Sequence, residues 1–282
     1  MTSGQRVLVT GAGGMLARDL VPALRAAGHA VTALGADELD ITGAPECLAA
    51  AAGHDLVVNC AAFARVDEAE REEPLAFAVN ALGAANVARA AAHAGARILH
   101  FSTDYVFDGQ ANRPYAAEHP PSPLSAYGRT KLAGEWAVRA LCADHWVVRT
   151  AWLYGAGGPN FVGTMLRLAE ERGTLDVVDD QRGQPTWTRD LAELVVRMVD
   201  ARAPTGTYHG TSSGETTWHG LARAIFEERR LDPHRVRPTS TDAFPRPAPR
   251  PAYGVLSHRS LEEAGIDPIR DWREALAEYL RR

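Results

Sequence analysis

A strand, a glycine-rich turn and a helix at the start of the chain constrain its fold more than any other stretch. Residues 6–10 form a short apolar run rich in β-branched side chains, Gly11-Ala12-Gly13-Gly14 follows, and residues 15–27 have helical periodicity. Glycine at such a turn lets the backbone approach a pyrophosphate, whose charge is met by the N–H groups and positive dipole end of the helix. The spacing Gly11-x-x-Gly14-x-x-Ala17, with alanine in the third position, therefore predicts a dinucleotide site.

Strand and helix patterns then alternate through the first half of the chain. Residues 30–34, 55–59, 97–101 and 145–150 have the pattern of buried strands, and residues 74–93 that of a helix. This alternation predicts an α/β fold with a doubly wound, Rossmann-like parallel sheet. Ligands bind such sheets beyond the carboxyl ends of the strands, so the residues that follow each strand are expected to line one crevice.

The pattern changes after residue 155, where helices and short strands predict a smaller, interleaved C-terminal substrate domain. We assign residues 1–155 to a dinucleotide-binding domain, with a later return near residues 180–205, and residues 156–282 mainly to the substrate domain. A proline-rich segment at residues 245–251 is expected to wrap an existing surface, where its arginines would meet a phosphate.

The sequence after the second strand leaves the choice of cofactor open. A carboxylate there would bind the adenosine ribose of NADH, and an arginine would bind the 2′-phosphate of NADPH. Leu34-Gly35-Ala36 offers neither, while Asp37 lies slightly farther on and Arg18 lies in the first helix. We therefore predict use of NADPH or NADH, with no strong preference.

The chain carries one lysine, Lys131, among 30 basic residues. Tyr127 lies four positions earlier, a spacing that places both side chains on one face of a helix. A nearby ammonium favours a phenolate, so we predict that Lys131 lowers the pKa of Tyr127 and allows proton exchange near neutral pH. The alternative for Lys131 is a solvated helix face. Thr103 follows the strand at residues 97–101 and is expected to face the same crevice, with a helix N-cap as its structural alternative.

Charge and composition exclude several classes of partner. The net charge is −5 and the arginines are scattered among acids, so no nucleic acid is expected. No segment has the form of a signal peptide or a membrane span, which predicts a cytoplasmic protein without a membrane partner. Three widely spaced cysteines predict neither a disulfide framework nor a zinc site; they are Cys47, Cys60 and Cys142.

Seven motifs between about residue 6 and residue 280 resemble those of the dTDP-4-dehydrorhamnose reductases, which are extended short-chain dehydrogenases/reductases. The motifs are Gly11-x-x-Gly14, Val58-Asn59-Cys60-Ala61-Ala62, Val66-Asp67-Glu68-Ala69-Glu70, Phe101-Ser102-Thr103-Asp104-Tyr105-Val106-Phe107-Asp108-Gly109, Tyr127-Gly128-x-x-Lys131, Arg149-Thr150-x-Trp152 and Gln181-x-Gly183-x-Pro185-Thr186. The resemblance implies reduction by NADPH or NADH of the 4-keto group of a nucleotide-bound 6-deoxyhexose. The closest reaction is dTDP-4-dehydro-L-rhamnose to dTDP-L-rhamnose, so a dTDP-sugar is the expected partner, and a homodimer is one possible assembly.

The resemblance also assigns roles to individual positions. Tyr127 would be the general acid, Lys131 would hold the ribose and lower the tyrosine pKa, and Thr103 would bind the carbonyl oxygen. The remaining cofactor contacts would be Gly11, Gly14, Met15 and Leu16 at the pyrophosphate, Asp40 and Ile41 at the adenine, and Ala62, Phe63 and Ala64 at the ribose and nicotinamide. The sugar contacts would be Val66, Thr103, Asp104 and Trp152.

Departures from the family pattern limit what the resemblance implies. Phe63-Ala64-Arg65 lacks the usual hydroxyl near the cofactor, and Gly254 stands where a serine is usual. Some members bind magnesium just after the Pro-Thr pair, but here Arg189 lies next to Asp190, so we predict no metal.

Two alternatives to reduction remain from the sequence: a nucleotide-sugar 4-epimerase of the same fold, and a non-catalytic NAD(P)-binding regulatory subunit. Dehydration is disfavoured because Tyr105 stands where a dehydratase has a second acid.

Overall fold

The computed structural model describes residues 4–282, and its centre is a parallel sheet of six strands in the order β10-β5-β4-β3-β1-β2. The strands in chain order are β1 (Arg6–Thr10), β2 (Ala30–Leu34), β3 (Leu56–Asn59), β4 (Arg97–Thr103), β5 (His145–Thr150), β6 (Leu153–Tyr154), β7 (Leu175–Val178), β8 (Arg182–Gly183), β9 (Thr186–Trp187), β10 (Gly206–His209), β11 (Ser212–Ser213), β12 (Thr216–Thr217), β13 (Val236–Thr239) and β14 (Ile269–Asp271). The eight strands outside the sheet form four short pairs.

Helices cover both faces of this sheet. They are α1 (Met15–Ala26), α2 (Ala44–Ala51), α3 (Val66–Ala69), α4 (Glu73–Phe77), α5 (Ala84–His93), α6 (Ala126–Leu141), α7 (Phe161–Glu171), α8 (Thr188–Asp200), α9 (Trp218–Glu228), α10 (Arg259–Glu263) and α11 (Trp272–Arg281). Side chains of β1 alternate between the faces: Val7 and Val9 pack with α1 and α8, and Leu8 packs with α2 and α5. The predicted α/β fold with a doubly wound sheet is confirmed.

The order of the strands reverses direction at β1, which lies between β2 and β3. Their register pairs Thr10 at the end of β1 with Leu34 on one side and Asn59 on the other. A reversal of this kind opens a crevice outside the carboxyl ends of the neighbouring strands. The glycine turn after β1 and the segment after β3 therefore meet at that crevice.

A third apolar cluster lies outside the sheet and joins α7, α9 and α11 with the strands β7, β9 and β13. Its large members include Tyr154, Trp187 and Phe226. The intervening segment of the chain returns to the sheet, because α8 packs on α1 and β10 extends the sheet beside β5. The two parts of the chain are therefore interleaved in sequence.

Residues 74–93, which the sequence predicted as one helix, lie in a continuous helical stretch from Glu73 to His93. It consists of α4, a π-helical stretch over Ala78–Gly83, and α5. Its length and hydropathy would suffice to cross a membrane, but half of the most apolar window is buried within the fold, as in a core helix. The π-helical stretch contains Asn80, which is buried and contacts the crevice.

Candidate active site

The glycine turn has a backbone that only glycine fits at its first position. Gly11 has φ = +65°, and a Cβ on it would lie 2.6 Å from the backbone nitrogen of Ala61, just after β3. The N–H of Gly14 donates to the carbonyl oxygen of Gly11 at 3.0 Å, and Gly14 caps α1 without a side chain. The amino end of α1 is thus exposed at the crevice and suits an anion.

A chain of buried polar groups runs beneath this turn toward α6. The Oδ1 of Asn59 accepts from the Thr10 hydroxyl at 2.7 Å and from the Ala61 N–H at 3.3 Å, so the amide nitrogen of Asn59 must face His100 Nδ1, at 3.1 Å. Burial first, and the charge of Lys131 second, lower the pKa of His100 well below its usual range, so its ring is neutral. Nδ1 accepts from Asn59, and the ring proton therefore lies on Nε2, 3.5 Å from Lys131 Nζ.

Lys131 is buried, and its amine contacts β4. Its Nζ donates to the carbonyl oxygen of Phe101 at 2.7 Å, and the residue is 3% exposed. Burial lowers its pKa to about 8, while the charges of Glu135 and Cys60 act in the opposite direction. A buried amine with such partners excludes the alternative of a lysine on a solvated face.

Tyr127 lies in the first turn of α6, whose N-cap Ser125 accepts a hydrogen bond from the Gly128 N–H at 3.1 Å. Although the tyrosine is only partly buried, desolvation and the Asp104 carboxylate raise its pKa to about 12, and a hydrogen bond with Thr103 acts in the opposite direction. The prediction that Lys131 lowers this pKa was therefore wrong. Desolvation outweighs other effects, and the lysine amine is directed at the Phe101 carbonyl instead.

Thr103, the last residue of β4, is both a cap and a member of the site. Its hydroxyl accepts from the Tyr105 N–H at 3.2 Å, which caps a short 3₁₀ turn, and donates to Asp104 Oδ1 at 3.0 Å. Asp104 is 3% exposed, and burial raises its pKa to about 7 against the opposing effect of its hydrogen bonds. The two predicted roles of Thr103 are thus compatible.

A buried ion pair that the sequence did not indicate fixes α6 against β5. Arg149 Nε and Nη2 donate to the two carboxylate oxygens of Glu135, each at 2.8 Å, and both side chains are at most 2% exposed. Arg139 adds a third contact at 2.8 Å. Because Glu135 lies one turn after Lys131, this pair sets the position of the helix that carries Tyr127 and Lys131.

A cavity of about 450 Å³ has Asp104 in its wall. Its apolar wall comes from α7, β7 and α9; the members include Phe161, Met165, Leu168, Val177 and Trp218. Trp152, at φ = +48°, stacks on Trp218 with ring centroids 3.5 Å apart. Three arginines and one further acid also line the cavity: Arg182, Arg246, Arg250 and Asp176. The sequence singled out Trp152 but not Trp218, which is 66 residues later.

The proline-rich segment reaches this cavity because α3 holds it. Arg250 Nη2 bonds Asp67 Oδ2 at 2.9 Å, and the Ala248 N–H donates to Asp67 Oδ1 at 3.3 Å. Val66 begins the same helix, so this predicted sugar contact lies next to the segment. The expectation that the segment wraps an existing surface is confirmed.

The segment after β3 is held by the π-helical stretch. Asn80 accepts from the Phe63 N–H at 2.8 Å and donates to the Phe63 carbonyl at 3.0 Å, which fixes the backbone between Ala62 and Ala64. The Arg65 guanidinium lies over the Phe63 ring, 4.4 Å from its centroid. In the unusual Phe63-Ala64-Arg65 sequence, Phe63 is therefore buried and the exposed Arg65 covers its ring.

A carboxylate lies at the end of β2 that the sequence did not place there. Glu38 Oε2 accepts from the Gly35 N–H at 2.9 Å, which brings an exposed acid to the position where an adenosine ribose is read. Arg18 Nε bonds the Gly13 carbonyl at 3.3 Å. Asp40 accepts from the Thr42 N–H and hydroxyl, and Ile41 is buried.

Within residues 4–282, no three His, Cys, Asp or Glu side chains form a group that could hold a metal ion. Asp190 receives two hydrogen bonds from Arg270, at 2.9 and 3.0 Å, so a guanidinium already neutralises the acid that follows the Pro-Thr pair. The absence of a magnesium site stays a prediction.

Residues 5–282 match the family described as RmlD substrate binding domain. The dTDP-4-dehydrorhamnose reductase of Streptomyces griseus is 52% identical over 97% of this chain and 92% of its own length. A dTDP-4-keto-6-deoxy-D-glucose reductase of Streptomyces niveus is 50% identical over 97% and 96%. The crystal structure of dTDP-4-dehydrorhamnose reductase from Bacillus anthracis in complex with NADP superposes with a TM-score of 0.93, at 36% identity over 99% of both chains.

Proposed function

This chain belongs to the family of dTDP-4-dehydrorhamnose reductases, and we propose that it reduces the 4-keto group of a dTDP-bound 6-deoxyhexose with NADPH or NADH. It is an NAD(P)H-dependent oxidoreductase, and the reaction that we propose is the reduction of dTDP-4-dehydro-L-rhamnose to dTDP-L-rhamnose. One observation carries the proposal: Thr103, at the carboxyl end of β4, interacts with Tyr127, and Lys131, one turn after Tyr127 on α6, is buried against the same strand.

The residues around the glycine turn fit a dinucleotide. Gly11 leaves no Cβ in the crevice, and the turn at Gly14 with the N–H groups of Met15 and Leu16 would bind the pyrophosphate. Asp40 and Ile41 would lie at the adenine, and the backbone of residues 62–64 would lie under the ribose and nicotinamide. When bound, the reduced nicotinamide supplies the hydride.

The catalytic residues would then act on the oxygen at C4 of the sugar. A pKa of about 12 keeps the Tyr127 phenol protonated until negative charge develops on that oxygen, to which it gives its proton. The Thr103 hydroxyl would bind the same oxygen, and Lys131 would hold the ribose hydroxyls. These donors lie where charge develops in the transition state.

The cavity would hold the rest of the substrate. Val66, Asp104 and Trp152 would contact the sugar, and the apolar wall would hold the base. Trp218 covers one face of the Trp152 ring, so at most one face is left for the pyranose. Arg182, Arg246 and Arg250 would neutralise the diphosphate.

Product analysis tests this function against its alternatives. Incubation of dTDP-4-dehydro-L-rhamnose with NADPH or NADH should consume one equivalent of cofactor per sugar, and NMR of the product should give a C4 alcohol. A 4-epimerase would convert sugar without net consumption of cofactor, and a regulatory subunit would do neither. Because one relative is named for a different keto sugar, the coupling constants at C4 also decide the stereochemistry.

We also propose a domain division, a localisation and an assembly for this chain. Residues 1–155, with a return near 180–205, would form the dinucleotide-binding domain, and residues 156–282 would be mainly the substrate domain. We expect a cytoplasmic protein, without nucleic acid or membrane partners, and a homodimer is one possible assembly. Size-exclusion chromatography with light scattering tests the last point.

A further inference from the structure

The Thr103 hydroxyl has a single proton and more acceptors than it can serve. It donates to Asp104 Oδ1 at 3.0 Å, it lies close enough to the Tyr127 phenol to lower the pKa of that group, and in the proposed reaction it must also donate to the C4 oxygen. Its own oxygen already accepts the Tyr105 N–H at 3.2 Å. An ionised Asp104 would therefore withhold the proton that the reaction needs.

Protonation of Asp104 removes this conflict. A carboxylic acid donates to the Thr103 oxygen, which frees the hydroxyl proton for Tyr127 or the substrate. The carboxyl is 3% exposed, and burial raises its pKa to about 7, so both states are accessible near neutral pH.

The Asp104 carboxyl also has a route to solvent. Asp104 and Gly254 both line the 450 Å³ cavity, and a Cβ at Gly254 would lie 2.7 Å from Asp104 Oδ2. Glycine at this position therefore leaves the carboxyl without a side chain across it.

Several charged and titratable groups face this carboxyl from the elements packed around it. Tyr127 of α6 is near enough for the Asp104 charge to raise its pKa, and the groups that line the same cavity are Tyr105, Asp176, Arg182, Arg246 and Arg250. None of the arginines hydrogen-bonds the Asp104 carboxylate among the contacts of residues 4–282.

We propose that Asp104 returns a proton to Tyr127 through the Thr103 hydroxyl after each reduction, a role that rests on the proposed function. Hydride addition at C4 and proton transfer from Tyr127 leave an alcohol and a tyrosinate. Asp104 then gives its proton to the Thr103 oxygen while Thr103 gives its own proton to the tyrosinate. The products are neutral Thr103 and Tyr127 and an Asp104 carboxylate, which takes a proton from water in the cavity.

The two protonation states give this relay a defined pH dependence. The relay needs the acid form of Asp104, so kcat should fall as pH rises through the pKa of this carboxyl. The first turnover starts from protonated Tyr127 and should change less. Lys131, which is also buried nearby, titrates in a similar range, so the pH profile alone does not assign the group.

Asp104→Asn separates the relay from the hydrogen bond. The amide can donate to Thr103 and free its hydroxyl, but it cannot transfer a proton. Stopped-flow absorbance of NADPH at saturating sugar should give a burst of about one equivalent per active site, followed by a steady rate whose loss relative to the parent exceeds the loss of the burst rate by at least about tenfold. Added imidazole buffer should raise the steady rate and leave the burst unchanged.

Asp108→Asn is the matched control, because this carboxylate accepts from Tyr115 and the Gln110 N–H outside the cavity. Burst and steady rates of Asp104→Asn that fall together, or a steady rate that equals that of the parent, would overturn the relay. If the variant does not fold, a parent kcat that is flat from about pH 6 to about pH 9 overturns it as well. A parent protein that oxidises no NADPH with the keto sugar contradicts the proposed function instead.

Discussion

The two sides of Tyr127 hold their buried ionisable groups in different ways. On the proposed cofactor side, Lys131 is enclosed by two groups of β4: the Phe101 carbonyl at 2.7 Å and the His100 ring, which Asn59 of β3 orients. On the substrate side, Asp104 has one side-chain hydrogen bond, to Thr103, and faces a cavity. Burial moves the pKa of both groups toward neutrality, but only the second can exchange its proton with solvent through the cavity.

The difference separates a group that the strands hold in one position from a group that can change its protonation state. The Phe101 carbonyl of β4 fixes the lysine amine, and hydrogen bonds from Thr10 of β1 through Asn59 of β3 fix the neighbouring His100 ring, as a group that orients a cofactor would require. The carboxyl lies where the sheet ends and loops begin, as a group that cycles between two protonation states requires.

The largest expected effect comes from the residue between the two sides. Tyr127→Phe should lower turnover by about 10²–10⁴-fold, because it removes the proposed general acid, while the fold and cofactor binding are kept. Steady-state kinetics with cofactor binding followed by fluorescence measures both. Tyr208→Phe, which loses a phenol hydrogen bond to Pro204 at the far edge of the sheet, is the control. Near-normal turnover in Tyr127→Phe would remove this residue from the mechanism.

Removal of the ion pair that positions α6 should have the next largest effect. Glu135→Gln leaves Arg149 buried without its carboxylate and should lower the free energy of unfolding by about 3–5 kcal/mol in urea denaturation at pH 7. The exposed Arg167–Glu171 pair gives a control, since Glu171→Gln should cost less than about 1 kcal/mol.

The pH dependence of this effect has a definite sign. Desolvation would raise the pKa of Glu135, but the hydrogen bonds and charge of Arg149 outweigh it and lower the pKa below 4.5. A lowered folded-state pKa stabilises the protein above the unfolded-state pKa, and this stabilisation is lost as pH falls below about 4.5. The difference between parent and Glu135→Gln should therefore narrow in acid; a difference that widens there would contradict the assignment.

How much of this site the sequence predicts depends on the range of the contacts. Local patterns predicted residues 30–34 and 145–150 as strands, and both agree with β2 and β5. The spacing of Tyr127 and Lys131 on one helix also agrees. The sequence failed where a contact joins distant elements, as when Glu135 meets Arg149 or Trp218 stacks on Trp152, because no local pattern records such packing.

The direction of the Tyr127 pKa illustrates the same limit. Helical spacing alone suggested that the ammonium of Lys131 would face the phenol. Whether it does depends on the other acceptors near Nζ, and the Phe101 carbonyl comes from a strand 30 residues earlier. Desolvation, which no sequence pattern states, then sets the sign of the shift.

A smaller effect on activity should follow when Lys131 is replaced by another cation. Lys131→Arg puts a larger planar cation into a space already filled by the Phe101 carbonyl and His100, at a cost of about 1–3 kcal/mol. We expect kcat/KM to fall at least about tenfold, which corresponds to about 1.4 kcal/mol. The exposed Arg167→Lys change is the control for the reverse exchange. Full activity in Lys131→Arg would show that a compact ammonium is not needed.

The smallest expected effect concerns Glu38, the exposed carboxylate at the end of β2. Its hydrogen bond to the Gly35 N–H holds it where it would accept from the ribose 2′-hydroxyl of NADH and repel the 2′-phosphate of NADPH. At an exposed site such repulsion is about 1 kcal/mol at 4 Å, so the two cofactors should differ in kcat/KM by less than about 30-fold in the parent protein. Glu38→Gln keeps the hydrogen bond and removes the charge.

That variant should raise the ratio of kcat/KM for NADPH over NADH by about fivefold, the equivalent of about 1 kcal/mol. The change should be smaller at high salt, because charges at an exposed site are screened. Asp37→Asn, the same change of charge at an exposed neighbour, separates a specific contact from a general loss of negative charge. Equal shifts in both variants would mean that Glu38 has no special position. A parent ratio in the thousands would mean that another charged group reads the 2′ position.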